Sequence, residues 1–291
     1  MPSYSNDVAA LNPENWRDAI QENLYKELVA LDVADTKIEA SLKAGTDVHF
    51  PMFGSLSTTA YVKGADVTVQ ALDSTDEYLR VDQQWESSFY LDTVDAKQNL
   101  YSTMLEGIKE ATYAIKSKIE TLVFAEVLNA HDTFDAGDSG MGGSSGSAIA
   151  LTTTNIFTAF SRAKAKLRKT GVDIMNMVAV VDSDVAAVIE EKAIGTGFSV
   201  ADAAFKRGYA GDFNGIKVYV SEFIDTTTSS RKHCYFGENK QISLAMQIAP
   251  TTQIDNDPLK FGKIVKILSV FGTKTFTQKG KRFLDFQCTV A

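Results

Sequence analysis

The chain has 291 residues, 44% of them hydrophobic and 23% charged, which excludes global disorder and allows a sizeable core in one large domain or two smaller ones. Its net charge of −8 excludes tight nucleic-acid binding over the whole surface, though not a local basic patch. Two cysteines without CxxC spacing, Cys234 and Cys288, do not support a disulfide framework, so a reducing cytoplasm is the expected compartment. The N-terminus lacks the basic-then-apolar pattern of a signal peptide, and no apolar run nears the ~20 residues that span a bilayer, so no membrane association is expected.

The stretch NPENWRDAIQENLYKELVALD predicts a first helix. Asn12 suits its cap and Pro13 its first position. Trp16, Ile20, Leu24, Leu28 and Leu31 then form an apolar stripe at spacings of three and four. From residue 46 the pattern becomes extended and alternating, rich in Val, Thr and aromatics, with turns at Gly54, Gly64 and Asp73-Ser74. This excursion has too little apolar surface for a core of its own and is expected to reach away from the body.

A long helix follows, with Asp95 and Gln98 at capping-box spacing. Tyr101, Met104, Leu105, Ile108, Ala111, Ile115, Ile119, Leu122 and Val123 line one side to about Asn129. The positions do not keep a strict heptad, which predicts a spine packed on a sheet instead of a coiled coil. The segment 132–148, DTFDAGDSGMGGSSGSA, has the composition of a flexible linker.

Helix and strand signals then alternate. Residues 154–171 predict a helix with Ile156, Phe157, Phe160 and Leu167 inward and a basic cluster that includes Arg162, Lys166 and Lys169. VDIMNMVAVVD predicts a buried strand, SDVAAVIEEKA a short helix capped by Ser183, and GIKVYVSE another strand. The chain ends in long extended segments. The order helix, β excursion, long helix, mixed body and β tail indicates an α+β fold.

Gly137-Asp138-Ser139-Gly140 spells the nucleophile tetrapeptide of trypsin-like proteases. A nucleophilic serine needs a base held by a third group, and a preorganised oxyanion hole. The chain has three histidines, His49, His131 and His233, and the serine sits in glycine-rich sequence. A mobile loop is therefore expected, with a serine hydrolase using Ser139 as the enzymatic alternative. Asp132, Asp135 and Asp138 are spaced by three, which does not match an EF-hand; solvated loop acids are expected there. No phosphate loop, zinc motif or metal spacing occurs, and His233-Cys234 is expected to serve packing. No catalytic residue, cofactor or metal is expected. The basic helix, through Arg162, Lys166 and Lys169, is the candidate for contact with DNA or a partner; its ordinary reading is a solvated face.

The N-terminal helix, extended excursion and β tail each expose more surface than a monomer usually tolerates, and strand edges invite pairing. Trp16, Tyr61, Lys63 and Trp85 are the candidate inter-subunit contacts. Residues 44–100, the amphipathic helix after them, and FKRGYAGDFNGIKVYVSEFI resemble the major capsid proteins of tailed bacteriophages with the Hong Kong 97-type fold. The family's glycine-rich turn before a strand is matched by Gly208, Gly211, Gly215, Val218, Tyr219 and Ser221.

The resemblance implies an N-terminal arm over 1–45, an extended β loop over 46–93, and a spine helix with peripheral domain over 94–150 ending in the flexible Gly/Ser loop. It implies an axial domain over 151–250 and a C-terminal β segment over 251–291 returning to the peripheral domain. It further implies hexamers and pentamers in an icosahedral virion shell around double-stranded DNA, assembled in the host cytoplasm. The partners implied are copies of the chain, a separate scaffolding protein, a portal, a decoration protein and non-specifically contacted DNA. Lys63 lies in the loop where some members form a lysine–asparagine crosslink. An encapsulin-like cellular shell is the alternative of the same fold.

Overall fold

A computed structural model describes residues 25–26, 28–37, 45–64, 66–67, 69–98, 103–173, 175–195, 209–224 and 231–290. Trp16 and Gly208, singled out above, lie outside the described residues.

The frame is α3, Thr103–Ala125, a rod of about 35 Å at 1.5 Å per residue. Ala111, Ile115, Ile119 and Val123 are buried along one side, as the spacing predicts, whereas Leu105 on the same predicted stripe is exposed. The shorter α2, Thr93–Gln98, precedes it. Its cap is Asp92, whose Oδ1 accepts the Val94 N–H at 2.7 Å; the expected cap Asp95 sits inside the first turn.

One side of α3 lies across a three-stranded antiparallel sheet in the order β10–β11–β3, formed by Ser243–Asn256, Gly262–Lys274 and Gln83–Asp92. Val265 and Ile267 bury toward the helix, and Phe89 packs beneath Gly107. A Cβ at Gly107 would stand 2.6 Å from Phe89 Cζ, so only glycine lets helix and strand approach this closely.

The second layer system is a mixed sheet in the order β4–β12–β9–β6–β8–β7, with β5 also on β12. Its strands are β4 Asp132–Phe134, β5 Ile149–Leu151, β6 Met177–Val181, β7 Tyr209–Phe213, β8 Ile216–Val220, β9 Lys232–Glu238 and β12 Phe283–Val290. Every residue of β6 is buried, matching its unbroken apolar run. Gly215 at φ +69° makes the tight β7–β8 turn.

Helix α4, Ile156–Lys169, buries Ile156, Ala159, Phe160, Ala163 and Leu167. Phe157, expected inward, is 45% exposed and meets Phe213 edge-on at 5.9 Å. Helix α5, Ser183–Gly195, is capped by Asp182, whose Oδ1 accepts the Val185 N–H; Ser183 instead donates to Glu222.

Of the predicted first helix, the described part is helical over α1, Ala30–Val33. Leu31, expected on the apolar stripe, is exposed, while Val29, Ala30 and Val33 are buried. The cause is a tether. The Val29 and Ala30 amides donate to the two oxygens of Glu120, at 2.9 and 3.0 Å, which fixes the chain by a route other than a continuing helix.

The excursion stands on its own short base. Strand β1, Asp47–Phe53, pairs antiparallel with β2, Ser74–Arg80, through seven residue pairs. Leu79, Val81, Ala245, Val270 and Phe276 form a small separate core beneath it, with Val48 and Phe50 against them.

Candidate assembly surface

The base of the excursion is fixed by ordinary chemistry. Arg80 donates to Asp47 at 2.9 and 3.2 Å, and Phe50 meets Phe276 edge-on at 4.8 Å. The Thr277 N–H donates to Glu77 at 3.0 Å. An open cleft of about 480 Å³ lies here, floored by Phe50, Met52 and Phe276 and flanked by Lys279, which is paired with Asp35. Burial opposes the Asp35 charge most, but the hydrogen bonds from Lys279 and the Lys37 amide, with the charges of both lysines, together outweigh it and hold the carboxyl below its ordinary value.

The ladder closes where the Gly54 N–H donates to Asp73 O at 2.8 Å. Beyond it, the described residues of 55–72 are exposed and lie in no strand, and among them the hydrogen bonds join Ser57 to Gln70. Lys63 and Gly64 form the tip, Gly64 at φ +85°. Tyr61, Val62, Val67 and Val69 are all exposed, Val69 to 89%. A run of apolar side chains so far from any core is what an interface buries. Tyr61 and Lys63 both stand on this projection.

Trp85 does not. It sits in β3 on the spine sheet, 37% exposed, with Lys118 Nζ 4.4 Å from its ring centroid. The prediction that it belongs to the projecting excursion is corrected by this geometry. The signal was present in the sequence: Trp85, Phe89 and Leu91 alternate with polar residues, the pattern of a strand with one covered face.

The basic helix divides. Lys166 turns inward and donates to Thr133 O at 2.5 Å and to Asp138 at 2.9 and 3.1 Å, with Asp132 at 3.2 Å. Burial opposes its charge, but the hydrogen bonds to Asp138 and Asp132 outweigh it and hold the ammonium above its ordinary value. Lys164 is likewise engaged with Asn214 O at 3.0 Å. Arg162 lies against Gly140, and Lys169 is exposed at the end of the helix.

The Asp132, Asp135 and Asp138 series has an internal use. Asp135 accepts the amides of Gly137 at 2.8 Å and Gly146 at 2.6 Å, and Asp138 accepts the Asp135 amide at 3.0 Å. Where composition predicts a flexible linker, these carboxylates fold 135–146 back on itself, and Arg231 adds a hydrogen bond to Gly146 O at 2.7 Å.

Ser139 is exposed in that loop. Two of the histidines are held elsewhere: His49 Nδ1 is 2.6 Å from Asp76, and His233 Nδ1 is 2.8 Å from buried Asp285. The His131 amide donates to Gly280 O at 3.0 Å. Cys234 pairs with Cys288, sulfur to sulfur at 3.7 Å, and that hydrogen bond together with burial pushes the Cys234 thiol up, away from a reactive thiolate. Among the described residues no group of three or more His, Cys, Asp or Glu is placed to hold a metal ion, and no helix is long and apolar enough to cross a membrane.

Glu120, unremarked in the sequence, joins three parts of the chain. Besides the two amides of the N-terminal segment it accepts the Ser221 hydroxyl at 2.9 Å. Burial outweighs these three hydrogen bonds and raises its carboxyl above the ordinary value. A glutamate in a helical pattern reads as solvent-facing, so nothing in the spacing marks this one.

No family model matches the sequence, and no curated protein matches it. Solved structures do. A structure from Mycobacterium phage Che8 superposes with a TM-score of 0.77 at 19% identity, covering 96% of this chain and 97% of that one. The capsid structure of cyanophage P-SCSP1u gives 0.73 at 14% identity, over 99% and 95%. The mature capsid of bacteriophage PhiM1 gives 0.70 at 10% identity, over 96% and 92%. The correspondence spans nearly the whole of each chain, so the fold of this protein is that of phage capsid structures.

Proposed function

We propose that this chain is the major capsid protein of a tailed phage, of the Hong Kong 97 type, and that it assembles as hexamers and pentamers into an icosahedral shell around double-stranded DNA. The observation that carries the reading is the projection 55–72. It is anchored at its base by a small separate core, yet beyond Gly54 and Asp73 its described apolar side chains bury against no surface among the described residues. A side chain such as Val69 gains about 1.5–3 kcal/mol when fully buried, and that gain is open only on a neighbouring molecule. A fold shared end to end with phage capsid structures supports the same conclusion.

In this reading the N-terminal segment, clasped by Glu120, and the projection reach between subunits. The acidic net charge suits a wall that holds dense DNA without adhering to it. Lys169 and Arg162 are the DNA- or partner-facing members of α4, with Lys166 devoted to the loop beneath it. Scaffolding, portal and decoration proteins are the further partners the reading calls for.

Light scattering followed by negative-stain electron microscopy of the purified chain tests it. Closed polyhedra or hexamer and pentamer rings are the expected result. A monodisperse monomer at every concentration, with and without a scaffold partner, would overturn it. Shells that form in the absence of phage DNA and retain a protein cargo would favour the cellular-compartment alternative.

A further inference from the structure

The two cysteines of the chain, Cys234 and Cys288, are 54 positions apart in sequence and have their sulfurs 3.7 Å from each other. The sheet register explains the contact. Cys234 of β9 is opposite Phe286 of β12, and Cys288 is opposite Lys232, so the cysteines are diagonal neighbours on adjacent antiparallel strands. Residues two apart on a strand share a face. Phe236 and Phe286 meet Phe160 of α4, at 5.3 and 5.7 Å between ring centroids, so Cys234 and Cys288 lie on the face that α4 covers. They are 1% and 0% exposed.

A buried free cysteine ordinarily serves as a small apolar side chain, and each of these alone fits that use. Packing does not require them to touch each other. An approach from 3.7 Å to the about 2.05 Å of a disulfide is within reach of side-chain rotation and a small strand shift. The contact also lies where a bond has a large effect. Strand β12 pairs with β9 on one side and with β4 and β5 on the other. The chain between the two sulfurs contains β10 and β11, two of the three strands of the spine sheet. A bond at its ends therefore restricts the unfolded chain of both sheets.

We propose that Cys234 and Cys288 form a redox-sensitive staple: two thiols under reducing conditions, one intrachain disulfide under oxidising conditions, with the oxidised chain the harder to unfold. The inference is independent of the shell reading, because both sulfurs belong to one chain. The oxidant is a peroxide. One thiolate attacks the O–O bond of hydrogen peroxide and becomes a sulfenic acid, releasing water; the other sulfur then displaces the hydroxyl as a second water, and the S–S bond forms. Two protons and two electrons pass from the thiols to the peroxide. The hydrogen bond with Cys288, burial and the nearby charges of Asp182 and Asp285 hold Cys234 as a thiol, so the step is slow while the fold is closed.

Mass spectrometry tests the staple. Purified chain freed of reductant is incubated with hydrogen peroxide at mildly alkaline pH, denatured in iodoacetamide and compared with a sample kept in dithiothreitol. The oxidised chain is expected to be lighter by two hydrogens, to take no carbamidomethyl group, to yield a linked Cys234–Cys288 peptide and to regain both labelling sites after dithiothreitol. Its urea midpoint should lie above that of the reduced chain, by a shift absent in Cys288→Ser and in Cys234→Ala. Full labelling after peroxide, sulfinic or sulfonic acid without a linked peptide, or disulfides only between chains would overturn the staple. So would a linked chain that unfolds at the midpoint of the reduced one. Assembly scored on the same samples bears on the shell reading alone, so the two fail separately.

Discussion

The Ser221 hydroxyl donates to Glu120 Oε1 at 2.9 Å across 101 positions of sequence, and the same carboxylate holds the amides of Val29 and Ala30. The middle of the spine, the segment after β8 and the N-terminal segment are thereby fixed at one buried point. Replacing Glu120 with alanine leaves two amides and a hydroxyl without their acceptor, at about 1–3 kcal/mol for each donor that stays buried and unsatisfied. The expected outcome is faster hydrogen exchange at Val29 and Ala30 with the α3 core still protected. Unchanged exchange at those two amides would show that the clasp does not hold the segment.

The pH dependence of this clasp runs opposite to that of a surface ion pair. Burial raises the Glu120 carboxyl, so the folded chain binds its proton more readily than the unfolded chain does. Its contribution to stability is complete below the ordinary carboxylate value and is lost as the pH rises through the raised folded value. Asp35, lowered through its hydrogen bond from Lys279, behaves conversely: its contribution is present above the ordinary value and is lost on acidification. Glu120→Gln should flatten the loss of stability on the rising side, and Asp35→Asn should flatten the loss on the acid side. Denaturant melts across pH 3 to 8 on both variants check the two signs.

Lys166 is a structural lysine. Lys166→Met keeps the aliphatic stem but strands Asp138 and Thr133 O, and should cost about 1–3 kcal/mol, the range for hydrogen bonds to charged groups. Limited proteolysis should then cut within 139–146 faster than it cuts the parent chain. A variant with parental melting and cleavage would show that Asp135 alone holds the loop.

Much of this architecture can be read from the sequence, because it rests on periodicity. The stripe Ala111, Ile115, Ile119 and Val123 gives the spine, and the apolar run Met177–Val181 gives the buried strand. What cannot be read rests on single polar residues finding distant partners. Glu120 and Lys166 look solvated in a helical pattern, and the three loop aspartates look like solvated acids until their amide partners are known. The place of Trp85 is hidden for a different reason: the turn at residues 81–82 is short and carries no glycine or proline, so β2 and β3 read as one excursion although they enter different sheets.

The contact of Gly107 with Phe89 sets how closely the spine lies on β3. Gly107→Ala places a Cβ 2.6 Å from the ring, and overpacking of that kind costs about 1–3 kcal/mol despite the better helix propensity of alanine. Phe89→Leu removes the clashing edge. The double variant should therefore be more stable than the sum of the single changes predicts, measured as a coupling in a double-mutant cycle by denaturant melting. Additive effects would mean the ring swings aside freely and the glycine is not what spaces the two elements.

The projection should be dispensable for folding and indispensable for assembly. Gly54 and Asp73 already face each other through a 2.8 Å hydrogen bond at the end of a regular antiparallel ladder. Replacing 55–72 with Asn-Gly joins them by a two-residue hairpin turn suited to the strand twist. The small core of Leu79, Val81, Ala245, Val270 and Phe276 lies wholly outside the deletion, so subunit stability should change by less than about 0.5 kcal/mol, with the shorter loop slightly favourable. Assembly should be lost, because Tyr61, Val62, Val67 and Val69 leave with the segment. Tyr61→Ser and Lys63→Gln at its tip separate packing from charge: the first should weaken particles at every ionic strength, and the second only at low salt, where exposed charges act over longer distances. Normal particles from the deleted chain would transfer the assembly role to the N-terminal segment and the sheet edges.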